Sequence, residues 1–182
     1  MVNKLLDIYK MYFLISVVVA FVLLIGNYNE GVWAILLITL GALITPFIYE
    51  LDYFLYVYFV DPESEVSRQI RALMAAKNYS GAFLYSHENS IHFDNTVFRS
   101  ILMVVCAFSV GFLFLFSPVN FFAKSVILSF LLTTLYLETK SFFEGSWKTW
   151  YSFINWIPKE KYAKIFLGLQ YLIFLVFLFR VI

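Results

Sequence analysis

Three acidic residues follow long apolar stretches and are the first candidates for chemistry. Glu50 and Asp52 come directly after residues 32–49, and Glu138 comes directly after residues 119–137. If both stretches cross a membrane in the same direction, these carboxylates lie at one depth. Such a cluster repels itself unless a cation or shared protons offset the charge, and oxygen ligands favour hard cations such as Mg²⁺, Ca²⁺ or Mn²⁺. The candidate metal ligands are therefore Glu50, Asp52 and Glu138, with Mg²⁺ or Mn²⁺ as the expected cofactor if the cluster forms.

The same acidic residues have a simpler interpretation, in which they mark the points where helices reach water. Ionisable residues inside a membrane are functional hypotheses by default, and apolar sequence continues on both sides of Glu50 and Asp52, but all of these carboxylates lie at the edges of the expected spans. Gln170 differs from them because it lies well inside an apolar stretch, where a buried amide favours an interhelical hydrogen bond. The sequence leaves the metal site and the ordinary helix end as alternatives.

The chain has two histidines, His87 and His92, in a polar stretch that also contains Glu88 and Asp94. Either imidazole would complete a site with the carboxylates or act as a general base, since histidine titrates near neutral pH. Their spacing in the chain matches no strong metal-binding motif, so a solvated polar turn is the alternative. We take His87 and His92 as the candidate catalytic residues.

The composition is that of a membrane protein, since 62% of the 182 residues are apolar and 14% are charged. Soluble domains usually contain about 25% charged residues, so a soluble enzyme is excluded. A net charge of +1 without any basic stretch argues against binding to nucleic acid. The single cysteine, Cys106, excludes an intrachain disulfide and a cysteine-based zinc cluster.

Apolar stretches of membrane-spanning length predict an all-α, polytopic transmembrane bundle of about five spans. Backbone amides in lipid must be satisfied within each segment, and the chain lacks the alternation of polar and apolar residues that barrel strands show. The expected spans are residues 5–26, 32–49, 100–116, 119–137 and 165–182. Residues 1–182 then form a single integral membrane domain.

Polar segments connect some of the expected spans. Residues 61–99 predict a helical hairpin, because Asp61 and Pro62 suit a helix start and apolar residues around Ile70 recur at helical spacing. At this length the hairpin cannot form an independent core, so it should lie on the membrane surface or on the bundle. Residues 147–162 combine Trp and Tyr with Lys, which is typical of an amphipathic segment at the lipid headgroups.

The distribution of Lys and Arg predicts the orientation. With the N-terminus in the cytoplasm, 11 of the 13 basic residues lie on the cytoplasmic side, as the positive-inside rule requires. An odd number of spans then places the C-terminus outside and the hairpin in the cytoplasm. Frequent Phe, Tyr, Lys and Asn are typical of a prokaryote with an AT-rich genome, so we expect a multi-pass protein of the cell inner (plasma) membrane.

Two short runs resemble a known family. The run Glu50-Leu51-Asp52-Tyr53, preceded by Pro46, and residues 134–138 resemble the bacterial inner-membrane, metal-dependent hydrolase-like proteins. That family has the pattern Pro-Asp-x-Asp-His, with His-x-x-x-Asp in a later span. Here Tyr53 and Thr134 replace the histidines. Glu50 and Glu138 replace aspartates, and the proline is displaced. The resemblance implies a membrane fold and metal-dependent hydrolysis, and these replacements remove the imidazole ligands.

Several functions remain open. The first is a non-enzymatic scaffold or assembly partner, since 22 Phe and 13 Tyr provide broad packing surfaces and polar chemistry is sparse. The second is a metal-dependent hydrolase that acts on a lipid or headgroup at the cytoplasmic interface, where the carboxylates would bind the cation and activate water. The third is a subunit of an oligomeric channel or carrier. All of them require contact with the lipid bilayer, and the expected protein partners are other membrane proteins or further copies of this chain.

Overall fold

The computed structural model describes residues 2–89, 96–115, 120–154 and 156–181. In chain order the α-helices are α1 (Val2–Gly26), α2 (Val32–Leu55), α3 (Glu65–Ala75), α4 (Tyr79–Glu88), α5 (Ile101–Leu115), α6 (Phe121–Phe143) and α7 (Glu160–Val181). A π-helix at Tyr56–Val60 extends α2, and 3₁₀ helices lie at Tyr28–Glu30 and Trp147–Ile154. These ranges contain no strand, which confirms the predicted all-α fold.

Four of the described helices are long and apolar enough to cross a membrane: Tyr9–Gly26, Val32–Val60, Phe121–Phe143 and Glu160–Val181. The remaining expected span corresponds to α5, which is equally apolar but shorter. Its length of about 22 Å at 1.5 Å per residue is less than the roughly 30 Å of hydrocarbon in a bilayer. The chain is a multi-pass helical membrane protein with four full-length spans and one shorter apolar helix among the described residues.

Helices α2 and α6 continue past the expected ends of their spans. Helix α2 runs to Leu55 and on through the π-helix, so Glu50 and Asp52 lie inside it rather than after it. Helix α6 runs to Phe143 and contains Glu138. These carboxylates do not end their helices because each is buried against other parts of the bundle.

The contact between α2 and α6 forms the centre of the bundle. Gly41 of α2 lies directly against Ser125 and the backbone of Phe122, and Ser125 Oγ donates a hydrogen bond to the Ile38 carbonyl oxygen at 2.7 Å. Small residues let helix backbones approach closely in membranes, where helix association depends on packing and on interhelical hydrogen bonds. The core around this contact is filled by buried leucines, namely Leu128, Leu131 and Leu135.

The helical hairpin expected in residues 61–99 is present as α3 and α4. Side-chain oxygens cap both helices, from Ser64 at the start of α3 and from Asn78 at the start of α4. Helix α3 therefore starts later than the predicted Asp61, because the capping oxygen is that of Ser64. The apolar side of the hairpin, centred on Ile70, packs against Tyr53 and the π-helix.

The 3₁₀ helix Trp147–Ile154 accounts for much of the predicted headgroup segment. Trp147, Trp150 and Tyr151 are buried, and they pack against α5 and α7 rather than lying free at the surface. Trp156, which follows this helix, is 62% exposed, and its position at the membrane interface stays a prediction.

Large apolar side chains cover the outside of the long helices. Examples that are more than half exposed are Phe21, Leu40, Leu113 and Leu172. Such a surface is unfavourable in water but stable against lipid tails. The outside of the bundle therefore fits contact with a lipid bilayer.

Candidate functional site

The structure brings two of the sequence-predicted residues together where the hairpin packs on the bundle. Glu50 lies in α2 and His87 in the last turn of α4, and Glu50 Oε1 is 2.9 Å from His87 Nε2. The two side chains are 8% and 11% exposed, so the pair is largely shielded from water. A hydrogen bond to an ionised carboxylate is stronger than one between neutral groups, and a low local dielectric strengthens it further. This pair fastens α4 to α2.

Aromatic rings hold the imidazole of His87 on two sides. The rings of Tyr9 and Tyr53 meet it edge to face, with centroid distances of 5.6 and 5.1 Å. Because Tyr9 belongs to α1 and Tyr53 to α2, three helices meet at this histidine. Glu50 Oε2 has no hydrogen-bond partner within the part of the chain that the structure describes, which leaves one carboxylate oxygen for a water, a proton or a cation.

A cation–π contact lies beside this pair. Arg99 Nη2 donates to Tyr53 Oη at 2.7 Å, and the guanidinium carbon is 4.9 Å from the centroid of the Tyr53 ring. Arginine is always charged in proteins, so a fixed positive charge lies against Tyr53, whose ring in turn contacts His87. The sequence predicts neither Tyr9 nor Arg99 as a site residue; the available signal for Arg99 is a lone arginine just before an apolar helix. We call Tyr9, Glu50, Tyr53, His87 and Arg99 the His87 cluster.

Asp52 interacts with a different element, the segment that leads into α5. Its Oδ1 accepts a hydrogen bond from the backbone N–H of Phe98 at 3.0 Å, and the residue is 1% exposed. Glu50 and Asp52 have different neighbours because residues two apart on a helix lie about 200° apart around its axis. Asp52 thus ties the start of α5 to α2.

Glu138 faces yet another helix, α7. Its Oε1 accepts a hydrogen bond from Gln170 Nε2 at 3.4 Å, which confirms the interhelical partner expected for Gln170. No group of three or more His, Cys, Asp or Glu side chains among the described residues is placed to hold a metal ion. The candidate ligands Glu50, Asp52 and Glu138 each have a different partner, and His92 lies outside the described residues.

The two positions at which the resembled family has histidine contribute to helix packing. Tyr53 belongs to the His87 cluster. Thr134 donates to the Phe130 carbonyl oxygen at 2.8 Å and is hydrogen-bonded to the Tyr49 hydroxyl, so it lies in the contact between α2 and α6. No family model, curated protein or solved structure matches this chain. The resemblance to metal-dependent hydrolase-like proteins stays a prediction.

Substitution of Asp52 should weaken the attachment of α5. Asp52→Ala leaves the buried N–H of Phe98 without its acceptor, and we expect a loss of about 1–3 kcal/mol of unfolding free energy. Asp52→Asn keeps an acceptor oxygen and should lose less. Thermal unfolding in detergent measures both, with the exposed Glu63→Ala as the control. Equal stabilities for the three variants would show that the Asp52–Phe98 bond does not hold α5 in place.

Proposed function

We propose that this protein is a membrane scaffold, in which a helical bundle holds the α3–α4 hairpin at the membrane surface as a docking platform for other proteins. The observation that supports this function is the hydrogen bond between Glu50 and His87, which is 2.9 Å long and largely shielded from water. A hairpin that merely connected two spans would need no such anchor. An anchored hairpin presents one face outwards in a fixed position.

Apolar contacts continue this anchor along the hairpin. The ring of Phe83 in α4 meets that of Phe54 in α2 edge to face, with a centroid distance of 5.6 Å. A cavity of about 10 Å³, which is room for about one water, remains at this contact. It is lined by Tyr53, Phe54, Ile70, Ala82, Phe83 and Ser86. Because this cavity is so small, α4 and α2 are closely packed here, which supports a hairpin that is fixed on the bundle.

The opposite side of α3 is polar and exposed, which suits a protein partner. It includes Glu65 and Gln69, and an ion pair between Arg68 and Glu63 at 2.9 Å with side chains 65% and 77% exposed. Charges of both signs on one face favour recognition by electrostatic complementarity. With the N-terminus in the cytoplasm, as the basic residues predict, this platform faces the cytoplasm from the inner membrane of a prokaryote.

A photo-crosslinking residue introduced at Gln69 tests the scaffold in cells that produce the protein. We expect a discrete protein adduct from Gln69 that mass spectrometry assigns to the same partner in repeated experiments. The same residue at Leu172, on the lipid-facing side of α7, is the control and should give no such adduct. His87→Ala releases the hairpin and should lower the yield of the adduct several-fold. If Gln69 and neighbouring exposed positions give no protein adduct while the hairpin stays folded, the proposed scaffold function is wrong.

Metal-dependent hydrolysis of a lipid or headgroup is the second candidate, and the contact between Glu50 and His87 favours it. A carboxylate beside an imidazole can transfer a proton or share a cation. Within the described residues the pair does not belong to a group of three possible ligands, so the fit to a metal is incomplete. Elemental analysis and a Mg²⁺ or Mn²⁺ thermal-shift titration separate the candidates. Stoichiometric metal that is lost in Glu50→Gln/Asp52→Asn would favour the hydrolase, and its absence from the wild type would favour the scaffold.

A further inference from the structure

Glu138 is a buried carboxylate for which the described residues provide no cationic partner. It is 1% exposed, and its Oε2 has no hydrogen-bond partner among them. The nearby Lys140 is paired with Glu144 instead, at 3.6 Å. A buried charge is costly unless it is paired. A positive charge or a proton must therefore accompany this carboxylate.

Two neutral oxygens lie buried next to Glu138 and are also unpaired within the described ranges. Gln170, 2% exposed, donates through Nε2 to Glu138 Oε1, while its own Oε1 has no partner. Tyr151 is 4% exposed, and its hydroxyl has no partner either. Burial, with a further contribution from the charge of Glu138, raises the pKa of Tyr151 to about 12. The hydroxyl therefore stays protonated and is a neutral ligand.

Glu138 Oε2, Gln170 Oε1 and Tyr151 Oη come from α6, α7 and the 3₁₀ helix, which pack together, and none of them has a hydrogen-bond partner among the described residues. Carboxylate and amide oxygens only accept hydrogen bonds, so Glu138 Oε2 and Gln170 Oε1 cannot satisfy each other. A proton on Glu138 would add a single donor. A cation between the oxygens would accept lone pairs from all of them at once.

We propose that Glu138, Gln170 and Tyr151 bind one Na⁺ ion. One carboxylate balances one positive charge, and carboxylate, amide and hydroxyl oxygens are the ligands that hard cations prefer. A divalent cation would leave an unbalanced positive charge in an apolar part of the bundle, which is costly. This site differs from the acidic cluster that the sequence predicts, because it uses Glu138 without Glu50 or Asp52.

Thermal unfolding of the purified full chain tests the site, with NaCl exchanged for choline chloride at constant ionic strength. At saturation Na⁺ should raise the Tm by roughly 5 °C or more, because a ligand that binds only the folded state stabilises it by mass action. Glu138→Gln keeps the shape of the side chain without its charge, so it should fold and lose the response to Na⁺. Tyr151→Phe removes one ligand and should need about tenfold more Na⁺ for the same shift.

Glu144→Gln is the matched control for the charge. It neutralises an exposed carboxylate in the same part of the chain, and it should keep the full response to Na⁺. Sodium NMR line broadening that is present in wild type and lost in Glu138→Gln would give a direct measure of binding. The proposal is wrong if wild type has the same Tm in choline and in Na⁺, as it would with a proton or a water in the site. It is equally wrong if Glu138→Gln retains the shift.

Discussion

Replacing Gly41 with leucine is expected to prevent α2 and α6 from packing and to abolish most of the folded protein. A Cβ at this position would overlap Ser125 Oγ and would lie 2.5 Å from the Phe122 carbonyl oxygen. The serine side chain can rotate away, but the carbonyl belongs to the backbone of α6, so the helix itself has to move. Even alanine should cost about 1–3 kcal/mol by overpacking, and leucine places a whole branched side chain in the same contact.

Gly168 in α7 provides the matched control, because a Cβ there would meet no atom within 4 Å. Gly168→Leu should fold as well as wild type, and Gly168→Ala should be neutral or stabilising by up to about 1 kcal/mol, since glycine is unfavourable inside helices. The yield of monodisperse protein in detergent and the midpoint of thermal unfolding measure each pair. Equal values for Gly41→Leu and Gly168→Leu would contradict the close contact of α2 with α6.

The sequence predicts the helices well because the membrane limits the choice. A backbone in lipid must satisfy its own hydrogen bonds, so a long apolar stretch has to be a helix. The starts of α2 and α6 lie within two residues of those expected at 32 and 119. The ends were less predictable, since Glu50 and Glu138 suggest helix ends but are instead buried inside longer helices. Whether a carboxylate ends a helix depends on partners from other parts of the chain.

The sequence predicts the candidate site only in part, and the reasons are geometric. Glu50 and Asp52 are two residues apart in the sequence but lie on different sides of α2. The helical period alone already argues against one cation bound by both side chains. The contact between Glu50 and His87 depends on how the α3–α4 hairpin folds back on the bundle. That packing brings together residues 37 positions apart, and no local pattern specifies it. The interhelical hydrogen bond of Gln170 is easier to predict from the sequence, because a buried amide in a span requires a partner on another helix.

Replacing His87 with alanine is expected to release the α3–α4 hairpin while the spanning helices stay folded. The buried Glu50 carboxylate would lose its 2.9 Å partner, and the rings of Tyr9 and Tyr53 would lose the imidazole between them. A hydrogen bond to a charged group contributes about 1.5–3 kcal/mol. Amide hydrogen exchange in α3 and α4 should therefore become roughly tenfold to 100-fold faster, because local opening determines the exchange rate. Glu50→Gln keeps a hydrogen-bonding group opposite the imidazole and should have a smaller effect.

The exposed ion pair between Arg68 and Glu63 is the control for this experiment. Its N–O distance is also 2.9 Å, but its side chains are 65% and 77% exposed, against 11% and 8% for His87 and Glu50. Exposed pairs contribute about 0–1 kcal/mol because water and salt screen them, so Arg68→Ala should leave exchange in α4 nearly unchanged. If Arg68→Ala and His87→Ala accelerate exchange equally, burial does not make the Glu50–His87 hydrogen bond stronger than the exposed ion pair. The hairpin would then be attached by its apolar contacts, and the scaffold would lose the observation that supports it.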